Sequence, residues 1–343
     1  MEKKKVVYLE MLTIIATFCV IWLHCNGIVH GFSNTLAWKQ SLVVEVIAYW
    51  AVPVFFMISG ATLLNYRKKY DTKTFFKKRI IKTLIPFFVW SIIVILFKYK
   101  IGYFNLSNLS ISRIIDIFLN YRMENIYWFF GALFAVYLSL PVLSLLVKNR
   151  KILWYIVLLS FIFQSLLPAI CKMIGVSWNN YLNFPLTGLG YLAFPIIGYL
   201  LSTETLDKKK RYIIYSLGIF AAVFRYGYIY ILSMKDGVLN KIFFDYNLFP
   251  SVLLAVAIFV FFKNINWDFL YKKNFIRTLI SNMSSCSFGI YLIHMIVINS
   301  LFYIFKLEAN LVWRLIGFLG VYAISFIIVY ILKRIPIIKN IVP

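Results

Sequence analysis

The sequence predicts an all-α integral membrane protein, a bundle of about ten transmembrane helices, and three observations carry that expectation. Hydrophobic residues make up 62% of the 343 positions and the mean hydropathy is +0.83, where soluble domains are roughly half apolar. The apolar residues gather in runs of about twenty, the length of helix that crosses a hydrocarbon core of ~30 Å. The basic residues lie between the runs and mostly on one side. Strands that span a bilayer would be half as long, alternating in polarity and closed into a barrel.

Taken in order, the runs place spans near 6–29, 40–64, 80–100, 126–147, 152–172, 181–202, 212–233, 245–263, 278–304 and 311–332. The first follows a basic start, "MEKKK", with no small-residue cleavage site, so it reads as a retained span rather than a signal peptide. The second carries Glu45, and the third is entered from the basic loop Arg67 to Arg79 and contains Lys82 and Pro86. The next three are apolar runs of spanning length; the seventh carries Arg225, and the ninth holds a polar stripe ending at His294. Residues 1–343 read as one membrane domain without internal repeat or soluble appendage.

Net charge is +24, which could suggest nucleic acid, but its placement argues against that partner. Of the 36 lysines and arginines, 24 lie in segments on the side of the N-terminus, ten lie opposite, and Lys82 and Arg225 fall within spans. Cytoplasmic loops collect lysine and arginine, so both termini are expected in the cytoplasm. The basic groups report topology and contact with membrane lipids first, and an anionic cytoplasmic ligand second. Cys19, Cys25, Cys171 and Cys286 show no metal or disulfide pattern and read as small packing residues.

Ionisable groups inside a bilayer are costly and belong on the bundle interior. Glu10 and His24 are fourteen residues apart, so on a helix they share a face, roughly 40° apart and about 21 Å along the axis. Glu10 suits either a juxtamembrane ion pair with Lys3 to Lys5 or a functional carboxylate. His24 suits either an interhelical hydrogen bond or catalysis. Ser284, Ser287, Tyr291 and His294 recur at helical spacing in "SNMSSCSFGIYLIHMIVINS" and form one stripe. Arg79 and Lys82, three apart, should project together at the cytoplasmic mouth, to bind either lipid phosphate or a nucleotide-bearing substrate. Glu45 and Arg225 read as a structural pair.

Several segments resemble a bacterial membrane family known as acyltransferase type three, which includes O-acetyltransferases of cell-surface polysaccharides. "YLEMLTIIATFCVIWLH" is similar to its first helix, "AVPVFFMISGATLL" to its second with Ser59 and Gly60 at a close approach, and "KKRIIKTLIPFFVW" to its basic pair and proline-bearing third helix. "YWFFGALFAVYLSLPVL" and "SFGIYLIH" resemble two later blocks. Where the family carries an arginine eleven residues before the histidine, this chain has Thr13. Where relatives often have a histidine two residues before Trp128, it has Ile126.

The resemblance implies a multi-pass enzyme of the cell membrane. It would move an acyl group, usually acetyl, from cytoplasmic acyl-CoA to a hydroxyl of a carbohydrate or lipid-linked glycan acceptor. It implies His24 as the catalytic histidine, Glu10 as its acidic partner, and Arg79 with Lys82 as the acyl-CoA-binding pair. Tyr291 and His294 are candidates for the oxyanion or the acceptor sugar. Acetyl-CoA or another acyl-CoA serves as co-substrate, with no permanently bound cofactor and no metal. A transporter or flippase using the same buried charges as a substrate path is the rival reading. A polysaccharide polymerase is a third, although its long outer loop is missing.

Overall fold

A computed structural model describes residues 6–105, 110–187, 190–305 and 310–342, together with the backbone alone of Tyr271. Lys3 to Lys5 therefore lie outside the described residues. The protein is all-helical, with 78% helix and no strand among the described residues. A helix occupies each of the ten expected places. Among the described residues, eight helices are long and apolar enough to cross a membrane, and two more, at Ala193–Thr203 and Phe249–Asn264, are apolar but shorter.

The chain opens with α1, Val7–Cys25. The second expected span is broken into α2, Leu36–Ala48, and α3, Ala51–Leu63. The Thr35 hydroxyl caps α2 by accepting from the Trp38 amide at 3.3 Å, and Pro53 falls in the first turn of α3, where it forfeits no helical bond. The third span starts earlier than expected. Its basic approach is already helical as α4, Thr72–Arg79, capped by Asp71 and joined through a π-helical turn, Ile80–Leu84, to α5, Ile85–Lys100. Between the third and fourth spans lies α6, Ile111–Leu119. It exposes Ile111, Ile115 and Leu119 on one face, the pattern of a helix lying along a membrane surface.

Then follow α7, Trp128–Leu143; α8, Arg150–Ser160; a second π-helical turn at Phe161–Leu166; and α9, Leu167–Met173. The sixth span was expected from 181, but helix begins only at Ala193, as α10 to Thr203. Pro185 and Gly190 supply the turn chemistry that delays it. Asp207 caps α11, Lys208–Asp236, and Gly237 ends it at φ +67°, a backbone region that glycine enters without strain. After α12, Phe249–Asn264, and the short α13, Asp268–Tyr271, come α14, Asn274–Phe305, and α15, Phe318–Leu332, the latter entered by a π-helical turn at Trp313–Gly317.

Alternation brings the lysine- and arginine-rich connections to one end of the bundle. Contacts there agree: Arg150 pairs with Glu204 at 2.9 Å, Arg211 donates to Asn264 at 3.0 Å, and Lys333 donates to the Ser285 carbonyl at 2.8 Å. Lipid tails are as apolar as leucine, so helices in a bilayer associate through close packing at small residues rather than through apolar burial. The α3 and α10 interface shows it. A Cβ on Gly60 would stand 1.8 Å from the Pro195 carbonyl oxygen, and one on Gly198 would stand 2.0 Å from that of Met57. That is the close approach expected at Ser59 and Gly60. It draws α3 to the centre of the bundle, beside α1.

Gly60→Ala should therefore destabilise by the upper end of roughly 1–3 kcal/mol, because the obstructing atoms are backbone. Gly227→Ala, inside α11 with open space around it, should be neutral or stabilising by up to about 1 kcal/mol. Thermal midpoints of the two purified variants in detergent check both; equal midpoints would contradict this packing.

Candidate functional site

Both α1 and α14 start at the basic end. By helical rise His24 and His294 lie about 26 and 30 Å along them, so the two histidines arrive at similar depth toward the far end. The structure brings their rings together, with centroids 5.3 Å apart and planes at 37°. His294 is fully buried. Its Nδ1 stands 2.7 Å from the Tyr291 carbonyl and 3.2 Å from that of Ile290. A carbonyl only accepts, so Nδ1 carries the proton and Nε2 is left as a lone pair, buried and without a partner. His24 is partly exposed, and its imidazole carries no hydrogen bond among the described residues.

Two bonds hold α14 in register at this level. The Tyr127 hydroxyl donates to the Leu292 carbonyl at 2.9 Å, and the Tyr291 hydroxyl donates to the Ile126 carbonyl. Adjacent residues on each helix thus reach across to adjacent residues on the other. The second bond commits the one proton of Tyr291. Its hydroxyl, so bonded, has no second proton to donate to an oxyanion, and its ring lies beside that of His294, with centroids 5.6 Å apart.

On the basic side of Tyr291 lies a cavity of about 180 Å³ between α1, α3, α7 and α14. Thr13, Ser59, Tyr137, Ser284, Ser287 and Tyr291 are among its walls. Thr13, Ser59 and Ser287 each donate to a carbonyl one turn back on their own helix. Their spare lone pairs make the wall an acceptor of hydrogen bonds. At the cavity's basic end the Arg79 guanidinium sits over the Tyr137 ring, 5.4 Å from its centroid. Cavity and aromatic contacts therefore form a continuous line from Arg79 through Tyr137 and Tyr291 to His294 and His24.

Not every expected residue joins that line. Lys82 lies in the π-helical turn, whose wider winding breaks the three-residue stacking, and its side chain is exposed while Arg79 turns inward. Glu10 is buried at the basic end of α1, about 21 Å from His24 along the axis, so it shares the helix face but not the immediate site. Neither Lys82 nor Arg225, the two basic residues expected within spans, lines the cavity beside Thr13. Arg225 is buried beside Glu45 at 3.7 Å and stacked 3.6 Å from the centroid of the Tyr49 ring, which bears out its structural pairing.

Beyond the histidines the far end is aromatic. Tyr49 stacks on Tyr246 at 4.1 Å, and Trp128 stands 5.8 Å from Tyr246 and 5.5 Å from Tyr191. Burial and then Lys241 hold His30 below the usual imidazole range, leaving it neutral. Arg314 was missed from sequence. It is buried, donates to the Ala37 carbonyl at 2.8 Å and to Ser41 at 3.0 Å, and its own carbonyl accepts from Trp22 at 2.7 Å. A lone arginine in "LVWRLIGFLG" was the available signal.

The sequence matches the family model described as an acyltransferase domain over residues 6–330. No curated protein and no solved structure matches it.

Interhelical hydrogen bonds in a membrane average about 0.6 kcal/mol and reach about 1.7. Tyr127→Phe and Tyr291→Phe should each lower stability by about that much. The double variant should lose less than the sum, since the two bonds share one register. A double-mutant cycle on thermal or denaturant unfolding measures the coupling, and strict additivity counts against a shared clamp.

Proposed function

We propose, on the premise that this chain belongs to the acyltransferase 3 family and is a multi-pass membrane acyltransferase, that it transfers an acyl group from acyl-CoA to a hydroxyl of a cell-surface sugar. The observation that carries this reading is the hydroxyl-lined cavity that begins beside Tyr137 under Arg79 and ends on Tyr291, next to the histidine pair. In this reading the enzyme sits in the cell membrane with its basic loops in the cytoplasm, and acetyl is the expected group.

The CoA phosphates rest at the basic mouth, where Arg79 offers charge-assisted hydrogen bonds. The pantetheine arm enters the cavity, and its two amide N–H groups meet a wall that accepts hydrogen bonds. The thioester then stands near Tyr291 while the acceptor approaches from the far end. The alcohol oxygen attacks the thioester carbonyl carbon, forming a C–O bond, and His24 takes the alcohol's proton. Collapse of the tetrahedral intermediate breaks the C–S bond, and the proton passes from His24 to the thiolate, giving the ester and free CoA. General base catalysis of this kind contributes about 10²–10⁴-fold. His294 supports the step through its unpartnered Nε2, an acceptor placed beside the imidazolium that His24 becomes. Glu10 and Lys82 act farther off, as charges at the cytoplasmic approach.

Membranes supplied with radiolabelled acetyl-CoA and a surface glycan should incorporate label. His24→Ala should lower incorporation about 10²–10⁴-fold at unchanged protein level. His294→Ala should lower kcat less, and Arg79→Ala should raise KM for acyl-CoA roughly tenfold with kcat nearly kept, as expected for loss of one charge-assisted bond. Unchanged incorporation in His24→Ala, or label that never reaches a glycan, would sink the reading. Succinyl-CoA in parallel tests the acyl group.

A further inference from the structure

Two cavities outside the catalytic line adjoin each other, one at the far end of the bundle and one running from it toward the basic end. The first is a cleft of about 570 Å³ at the far end, with Gln164, Trp178, Asn180, Asn183, Asp245 and Asn247 in its walls. The second is a groove of about 290 Å³ that runs down between α8, α10, α11 and α12 past Phe161, Phe194, Ile197, Val252 and Val256 to Trp154. Gln164 and Asn247 line both. From Gln164 to Trp154 is ten residues of helix, about 15 Å, or half of a ~30 Å hydrocarbon core.

We infer that the cleft and groove form one site for an amphiphile, a neutral sugar headgroup in the cleft with a single hydrocarbon chain in the groove, so that the acceptor is held while still anchored in the membrane. The inference rests on the acyl-transfer reading for its purpose but not for its geometry.

The chemistry of the cleft selects the head. Amide side chains offer both donors and acceptors, and an indole supplies an apolar face, the combination that suits a ring with hydroxyls on its rim and C–H groups on its faces. The Trp178 indole N–H is fixed by Asn183 Oδ1 at 2.8 Å. Gln164 is held by its amide nitrogen, which donates to Thr187 at 2.9 Å and the Phe184 carbonyl at 3.3 Å, so its carbonyl oxygen keeps spare acceptor capacity. Lys172, a cation in the cleft wall, already faces Asp245 at 3.6 Å. A phosphate headgroup would meet that carboxylate, whereas a neutral sugar meets no net charge.

The junction is built for a ligand as well. Gln164 and Ser165 occupy the π-helical turn Phe161–Leu166, a distortion often found at functional sites because it displaces helix hydrogen bonds. The Ser165 hydroxyl in the groove is buried and without a partner, one step from the polar cleft, where the glycosidic oxygen of an anchored sugar would stand. The cleft also adjoins the catalytic end, since Asp245 precedes Tyr246, which stands 5.8 Å from Trp128, and Trp128 follows the clamp residue Tyr127.

Because lipid tails are as apolar as the groove, the chain positions the ligand more than it tightens binding, and selectivity comes from the head. The test is therefore where a probe sits. Full-length protein in phosphatidylcholine nanodiscs is irradiated with hexadecyl β-glucoside bearing a diazirine in its chain, and labelled peptides are mapped. Label should concentrate in 154–165 and 252–256, fall about tenfold with tenfold excess unlabelled hexadecyl glucoside, and change less than twofold with hexadecylphosphocholine. Val256→Trp, which fills the groove, and Asn247→Leu, which removes an amide at the junction, should each lower it several-fold. Equal competition by the phosphocholine would mean an ordinary bilayer lipid and overturn the inference, as would label spread over outward residues such as Ile327 on α15. His24→Ala should keep the labelling while losing acyl transfer. Labelling without transfer in the wild type would therefore fail only the proposed reaction, and transfer without groove labelling only the anchored acceptor.

Discussion

The proton shared by the carbonyls of Ile290 and Tyr291 on His294 Nδ1 decides the polarity of the whole centre. In a hydrocarbon environment a ring nitrogen has no water to answer it, so the tautomer is set by whatever the bundle supplies. Here α14's own backbone supplies two acceptors and leaves Nε2 as a base beside His24. That outcome requires Tyr291 to hold its place, which in turn requires the Ile126 carbonyl at the entry of α7. Two helices, α14 and the entry of α7, are thereby tied to one imidazole orientation. A change anywhere along that chain of contacts acts on His24 without touching it.

A second constraint shapes the far end. Glu45 and Arg225 are both buried, and an ion pair in such surroundings costs more in lost hydration than its attraction returns unless its other donors are satisfied. Arg225 meets that condition in part: Nε donates to the Phe243 carbonyl and Nη1 to that of Glu45, the plane lies on the face of Tyr49, and Nη2 is left to the 3.7 Å ion pair alone. The effect is to fix α2, α11 and the segment before α12 around the aromatic floor of Tyr49 and Tyr246. Arg314 does the same between α2 and the start of α15. These cations are structural, and they explain why the second span can break between Ala48 and Ala51 without losing its place.

How much of this was legible follows from what each residue depends on. Helix existence depends on apolar run length, a local property, and every expected span has its helix. Helix starts depend on turn chemistry and long-range packing, so the onset at Ala193 and the helical approach at Thr72 depart from the boundaries of the apolar runs. The serine, tyrosine and histidine stripe of α14 was visible as a period, and the depth of His24 was visible as a count along α1. Their meeting was not, because the neighbour of α1 is set by which faces carry small residues across the whole bundle. Lys82 shows the limit most clearly. A spacing of three implies a shared face only if the winding is α-helical, and Lys82 lies in the π-helical turn that begins right after Arg79.

Thr13 departs from the family pattern in a way that the cavity makes intelligible. A guanidinium removed from a paired site would leave a carboxylate without its partner, and burying such a charge alone would be strongly destabilising. The lining of this cavity contains hydroxyls, rings and aliphatic groups but no carboxylate. Its hydroxyls at positions 13, 59 and 287 are each bonded to their own helix, so they are self-sufficient when the cavity is empty. The substitution thus belongs to a passage that is neutral along its length. The cationic group nearest this passage is the Arg79 guanidinium over Tyr137, so the proposed division, with anionic recognition at the mouth and an uncharged arm within, agrees with a lining that carries no charge of its own.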